Sequence, residues 1–241
     1  MKSKLFTLIL IGLLAVPMTT SFGFIGFGLT VLQEMGSVDG YEESMTEGIS
    51  EARFTRDAFE NPVGFGGYLY LDFIPVIDLE VDFQVAAATY AFSFGTYASN
   101  VLLAETPPDA EFAYARGSFY LTARKKLLGV GVPILGGIKL HAGGGLNFHK
   151  TAPYMSIDLM QELLGDELYN DFADQSAMED KIIKYVEDNL ESQTGIHLQA
   201  GVQLKLLILD MFVNYRYTIA KDVFEDQSGF GALNFRLGIG F

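Results

Sequence analysis

Asp78, Glu80 and Asp82 stand at alternate positions in one short stretch, with Asp72 just upstream. In an extended chain that spacing puts the three on one face. Four carboxylates held so close repel one another, and if buried they require cations beside them. The cations on offer are Arg116, Arg124, Lys139, Lys205, Arg216 and Arg236. Each sits at a polar position of a segment that alternates polar and apolar residues. Antiparallel pairing would set Arg124 beside Asp78 and Glu80. Two chemistries fit: a fixed salt-bridge plug, or a gate whose pairs rearrange to pass ions.

The three histidines, His141, His149 and His197, fall on the same polar faces. His149 and His197, brought together by strand pairing and helped by nearby carboxylates, are the possible metal ligands. A nucleophile–base pair is harder to find. His149 with Thr151 comes nearest, but threonine substitutes poorly for serine and an orienting acid is missing. The chain is therefore expected not to be an enzyme and to need no cofactor. It has no cysteine, which excludes disulfides, thiolate metal sites, cysteine nucleophiles and a lipid-modified cysteine. A net charge of −14 over 241 residues argues against nucleic acid as a partner.

The elements that would position these residues are strands. Period-two alternation runs through the chain after its first two dozen residues. At the end, Leu233, Phe235, Leu237, Ile239 and Phe241 oppose Asn234, Arg236, Gly238 and Gly240. Seven further segments read the same way, centred on 25–31, 65–73, 77–85, 116–124, 138–149, 196–205 and 213–219. Long connections (34–63, 95–109, 151–195, 220–228) alternate with short ones around Pro75, 129–133 and 207–210. That rhythm belongs to an even-stranded barrel with short periplasmic turns and long outer loops. At 86–94 the phase drifts, and Tyr90, Phe92 and Phe94 take the apolar role on the opposite parity. A β-bulge near Ala87 would flip the faces; alternatively the strand has left the membrane there.

Alternation does not say which face is inside. The polar faces are rich in glycine, tyrosine and amides with charges of both signs, which suits a crowded interior better than a solubilising exterior. The apolar faces, including Tyr215 and Tyr217, should therefore meet lipid. The loops carry the acid: eight carboxylates in 34–63 and eleven in 151–195. Such charge density belongs in water. The third long loop should hold two helices. One spans Ile157 to Leu164 and stops at Gly165; the other opens on a capping box of Ser176 and Glu179 and runs to about Leu190. Their apolar stripe must cover something.

The first 23 residues read as a secretory signal peptide. Lys2 and Lys4 precede an apolar stretch from Leu5 to Met18, and Ser21 and Gly23 suit a cut before Phe24. The apolar run is too short for a spanning helix, which needs about 20 residues. Residues 24–241 would then form one barrel domain with a helical insertion at about 152–194.

The terminal segment Leu233 to Phe241 looks like the β-signal read by the barrel assembly machinery, and His141 to Phe148 (HAGGGLNF) looks like a glycine-rich barrel strand. On these segments and the whole-chain pattern, the sequence resembles the small outer-membrane barrels of Gram-negative bacteria, the OmpA/OmpX/OmpW-like group. The expected fold class is all-β: an eight-stranded antiparallel up-and-down transmembrane β-barrel with a partly helical extracellular loop. The resemblance implies a plugged lumen, an assembly signal at Leu233, Phe235, Leu237, Ile239 and Phe241, and lipid and lipopolysaccharide as surroundings. The expected role is structural or interactive, through acidic outer loops. A small-solute conduit, or a lipid-modifying enzyme, is the alternative.

Overall fold

A computed structural model describes residues 25–72, 77–105, 110–132, 136–164 and 175–241. The strands are β1 (Ile25–Met35), β2 (Ser37–Val38), β3 (Tyr41–Glu47), β4 (Ser50–Arg56), β5 (Phe59–Glu60), β6 (Val63–Leu71), β7 (Asp78–Ala98), β8 (Val101–Glu105), β9 (Glu111–Val132), β10 (Gly136–Thr151), β11 (Glu191–Leu206), β12 (Leu209–Ile219) and β13 (Gly229–Gly240). Two helices, α1 (Ile157–Leu164) and α2 (Gln175–Asp188), lie between β10 and β11. The signal-peptide residues, Phe73, Pro75 and Gly165 lie outside the described residues, as do the side chains of Ser176 and Glu179.

Eight strands close on themselves in the order β1, β6, β7, β9, β10, β11, β12, β13 and back to β1, all antiparallel. They are the eight alternating segments of the sequence, in chain order. Paired residues lead once around the wall from Ile25 through Leu71, Leu79, Ala123, Gly144, Leu198, Tyr217 and Gly231. The circuit returns to β1 at Met35, ten residues above its start. With about 3.3 Å per residue and about 4.8 Å between strands, that stagger tilts the strands by about 40° and gives a backbone radius of about 8 Å. Such a lumen is filled by its own side chains.

The odd positions of β7 show what each face meets. Leu79, Val81, Phe83 and Val85 turn outward, while Asp78, Glu80, Asp82 and Gln84 are buried. The same division holds on β13, where Phe235 and Leu237 are exposed and Asn234 and Arg236 buried. Leu29, at 74% exposure, is among the barest large apolar residues. Water would not leave such a belt unassociated; lipid does.

The drift at 86–94 has a different cause from a bulge. β7 pairs without interruption with β6 through Ala87 and with β9 through Ala91. Its even positions point inward all the way: Ala86, Tyr90 and Phe94 follow Gln84 with the same parity, and all are buried. The surroundings change, not the phase. Above Val85 the outward residues are the small or polar Ala87, Thr89 and Ala91, no longer a greasy belt, and the inner face packs an apolar core. The strand has left the membrane. A register shift does occur elsewhere, opposite Leu140/His141, where Leu127 of β9 is the unpaired extra residue. It keeps Leu128 and Val130 opposite Leu140 and Ile138 on the exposed face.

Outside the membrane the wall grows into a folded lobe. β3 and β4 form a hairpin whose inner strand pairs with the upper part of β7, and β8 pairs with β7 on its other side. Behind this sheet lies a core built from three of the long connections and the upper end of β7: Val38, Phe54 and Phe59, then Tyr90 and Phe94 of β7, then Met155, Ile157, Leu159 and Met160, then Val223 and Phe224. The apolar stripe of α1 therefore covers the mouth of the barrel. Ile182 and Tyr185 of α2 pack on the same core. Met155 N–H donates to the Tyr90 hydroxyl at 2.9 Å. Burial pushes the Tyr90 and Tyr154 phenols up to about 12, so both stay neutral.

Candidate functional site

The residues that could do chemistry converge in the lumen, in layers. The central layer is held by Glu80 and Asp82. Arg124 Nη1 lies 2.9 Å from Glu80 Oε2, and Gln199 Nε2 donates to Oε1 at 2.8 Å. Arg216 Nη2 is 2.8 Å from Asp82 Oδ2 and 3.8 Å from Glu80 Oε1. Arg236 bridges both acids, Nη1 at 2.9 Å from Glu80 and Nη2 at 2.8 Å from Asp82. These last contacts are close but off the hydrogen-bonding direction, so they hold by charge. Each arginine also lies over an aromatic ring: Arg216 over Tyr120 at 3.9 Å, Arg124 over Tyr70 at 4.6 Å, and Arg236 over Tyr68 at 5.2 Å. Carboxylates on one side and π faces on the other compensate guanidinium groups cut off from water. Glu80, Asp82 and Arg216 are fully buried.

Below this layer, Asp78 lies 3.4 Å from Arg124 Nε and 3.9 Å from His141 Nε2. Lys139 lies 3.8 Å from Asp72 near the periplasmic rim. Lys205 Nζ donates to the Gly240 carbonyl at 3.3 Å. Asp210 accepts from the Tyr70 hydroxyl, and from Gln203 Nε2 at 2.8 Å. Glycine makes room here: a Cβ on Gly240 would collide with Asp210 Oδ2 and the Tyr70 hydroxyl.

Arg116 does not join the central network. It forms an upper layer with Glu34, and its guanidinium carbon is 4.4 Å from the Phe230 ring centroid. Its Nε donates to Ser118 Oγ at 3.2 Å; Ser118 is 2.9 Å from His149 Nδ1, and His149 Nε2 is 3.0 Å from Asn147 Oδ1. One tautomer satisfies the whole chain, with Ser118 donating to Nδ1 and Nε2–H donating to Asn147.

Every described strand neighbour is hydrogen-bonded, the belt outside is apolar, and the space inside is filled with paired charge. This chain is a small outer-membrane β-barrel protein. No helix of the described residues is long and apolar enough to cross a membrane, so the strands are what cross.

No family model matches the chain, and neither does any curated protein sequence. Among solved structures it is similar to Ail, the attachment invasion locus protein of Yersinia pestis, in complex with the heparin analogue sucrose octasulfate. That match has 12% identity and a TM-score of 0.36, covering 90% of this chain and 97% of the other. It is also similar to the N-terminal β-barrel domain of Pseudomonas aeruginosa OprF, at 10% identity and a TM-score of 0.36, covering 90% and 99%. The outer membrane protease OmpT of Escherichia coli matches at 10% identity and a TM-score of 0.34, covering 90% and 95%. Scores this low carry no inference about activity; the closed register carries the fold.

Of the residues expected to act together, Asp78, Glu80, Asp82, Arg124, Arg216 and Arg236 are gathered, while Asp72, Lys139 and Lys205 stand at the rim and Arg116 above. His149 and His197 do not form a pair. His149 lies across from Gln193, His197 from Gly145, and the Tyr120 ring sits edge-on to both imidazoles. His197 Nε2 is bonded to Thr122 at 2.9 Å, and both nitrogens of His149 are taken. Among the described residues no group of three acidic or histidine side chains is arranged to hold a metal. Thr151 turns from His149 and donates to Gln193 Oε1 at 3.2 Å. The unforeseen Ser118–His149–Asn147 chain has the order of a hydrolytic triad, but its members are at most 4% exposed. Its position on alternate residues of neighbouring strands was the signal for it; the partner strand's register was needed to read it. Glu34 and Asp210, which the sequence pattern places in a loop and a turn, also belong to the lumen.

Proposed function

We propose that this protein is a non-enzymatic, non-conducting barrel that anchors a folded, acidic lobe at the outer face of the bacterial outer membrane. A leader over residues 1–23 and a single barrel domain over 24–241 belong to this reading. The observation that carries it is a double closure. Glu80, Asp82, Arg124, Arg216 and Arg236 cross the lumen at mid-height, and the core around Phe224, Ile157 and Phe59 covers its outer end. A conduit would need either a passage past the arginines or a break in the wall. Against both stand the paired charges and the continuous register. Against a lipid-modifying enzyme stands the burial of His149 and Ser118, away from the lipid face.

The purified protein, added to planar bilayers, is expected to give no steady conductance, and protease added to intact cells should cut within the lobe. Regular single-channel steps from the unaltered protein would discard the reading.

A further inference from the structure

At the periplasmic end, part of β9 is paired on one side only. β7 begins at Asp78 opposite Arg124, whereas β9 runs on beside β10 from Lys125 to Val132. Gly129 stands opposite Lys139, whose contact with Asp72 marks the rim, so the tip of the hairpin hangs below it. No described residue pairs with the β7-facing side of this stretch, which leaves roughly 25 Å of strand edge open.

The register tells which backbone groups face the open side. The Ala115 carbonyl accepts from Ala152 N–H, so the odd residues of upper β9 turn their backbone groups toward β10. The extra residue at Leu127 exchanges the parity. Below it Leu128 and Val130 bond toward β10, while Gly129 and Gly131 present N–H and C=O to the open side. Leu128 and Val130 are 69% and 85% exposed, and both glycines are exposed as well. One side-chain row of this edge is apolar and the other is bare. Such an edge is a template for another strand.

Charge narrows the choice of partner. From Phe112 to Ile157 the sequence has no acidic residue, in a chain whose net charge is −14. Lys125 and Lys126 are exposed where the open edge begins, and no described carboxylate pairs with them. Lysines and a bulge blunt an edge against sheet-to-sheet pairing, yet they leave room for a short strand with acid at that end. A second copy is the wrong occupant. Copies in one membrane share its normal, so strands tilted by about 40° would cross at about 80° instead of lying alongside.

We infer that the β9 edge below Arg124 is a docking site for an extended segment of a periplasmic protein. The segment adds antiparallel, in line with β7, and exchanges main-chain hydrogen bonds with Gly129 and Gly131. Its apolar side chains lie beside Leu128 and Val130, and its aromatic ones lie over the two glycines. Acidic groups at its C-terminal end meet Lys125 and Lys126. The site is at the opposite end of the barrel from the lobe and holds whether or not the lumen conducts.

The test uses the full barrel in phosphatidylcholine nanodiscs. Its probe is a fluorescent, acetylated peptide of alternating valine and tyrosine that ends in two glutamates. Saturable binding is expected by fluorescence anisotropy. N-methylating alternate peptide amides should weaken it by about tenfold or more in one phase and little in the other, because only one set faces the edge. The double variant Lys125→Gln/Lys126→Gln should bind about tenfold more weakly. So should Gly129→Val, whose Cβ meets only ordinary contacts in the barrel but occupies the bare row. Both variants should keep the heat-resistant mobility of the folded barrel. No saturable binding to the unaltered protein would overturn the assignment. Equal binding of the two methylated peptides would overturn it too, since main-chain pairing would then play no part. Undiminished binding by the double lysine variant would do the same.

Discussion

The lower and upper halves of β7 share one strand, one parity and one inward face, yet they bury opposite things. Below Val85 the inward residues are Asp78, Glu80, Asp82 and Gln84, and the outward ones are apolar. Above it the inward residues are Ala86, Tyr90 and Phe94, and the outward ones are Ala87, Thr89 and Ala91. The backbone is the same; the solvent outside is not. In lipid there is no gain from hiding a phenylalanine, so the interior can be given over to charges that compensate one another. In water the hydrophobic effect returns, and the same face becomes a core like that of a soluble domain.

Breaking the charge layer should have the largest effect. Glu80→Ala leaves Arg124 and Arg236 facing each other without their shared acid, and a loss of about 3–5 kcal/mol is expected in urea unfolding from lipid vesicles. An effect below about 1 kcal/mol would mean that the layer is hydrated and loose. Phe224→Ala should cost about 3–5 kcal/mol as well, but in the other region. Limited proteolysis should then cut the lobe while the barrel keeps its heat-resistant mobility on gels. If the barrel unfolds together with the lobe, the two halves are one cooperative unit.

Two lysine substitutions sharpen the contrast on the outer surface. Leu29→Lys, within the lipid belt, should destabilise by about 2–4 kcal/mol. Thr89→Lys, outward on β7 above the membrane, should change stability by less than about 0.5 kcal/mol. Comparable costs at the two positions would show that the boundary at Val85 is misplaced.

Much of this was legible in the sequence because barrel strands write themselves in period two. The eight segments, their order and the pairing of Arg124 with Asp78 followed from alternation and antiparallel register. The phase at 86–94 was harder, since a bulge and a change of solvent both exchange the apolar positions between parities. Only the uninterrupted pairing of Ala87 with Ala115 and Ala91 with Glu111 distinguishes them. The layering of the lumen was not legible. A ten-residue stagger lifts Glu34 to the level of Arg116, far from its apparent place in a loop, and it separates Arg116 from Arg216 and Arg236. Helical periodicity in the third loop pointed to α1 and α2, but what they cover depends on residues brought from two other connections and from the upper ends of the strands.

The change of solvent along β7 can be measured residue by residue. The chain has no cysteine, so single cysteines at 79, 81, 83, 85, 87, 89 and 91 can be labelled without background. In reconstituted protein, labels at 79 to 85 are expected to be quenched by brominated lipid, and those at 87 to 91 only by a water-soluble quencher. Lipid quenching that persists through 91, or that moves to even-numbered positions above 86, would contradict the division of the molecule into a charged membrane barrel and an apolar-cored outer lobe.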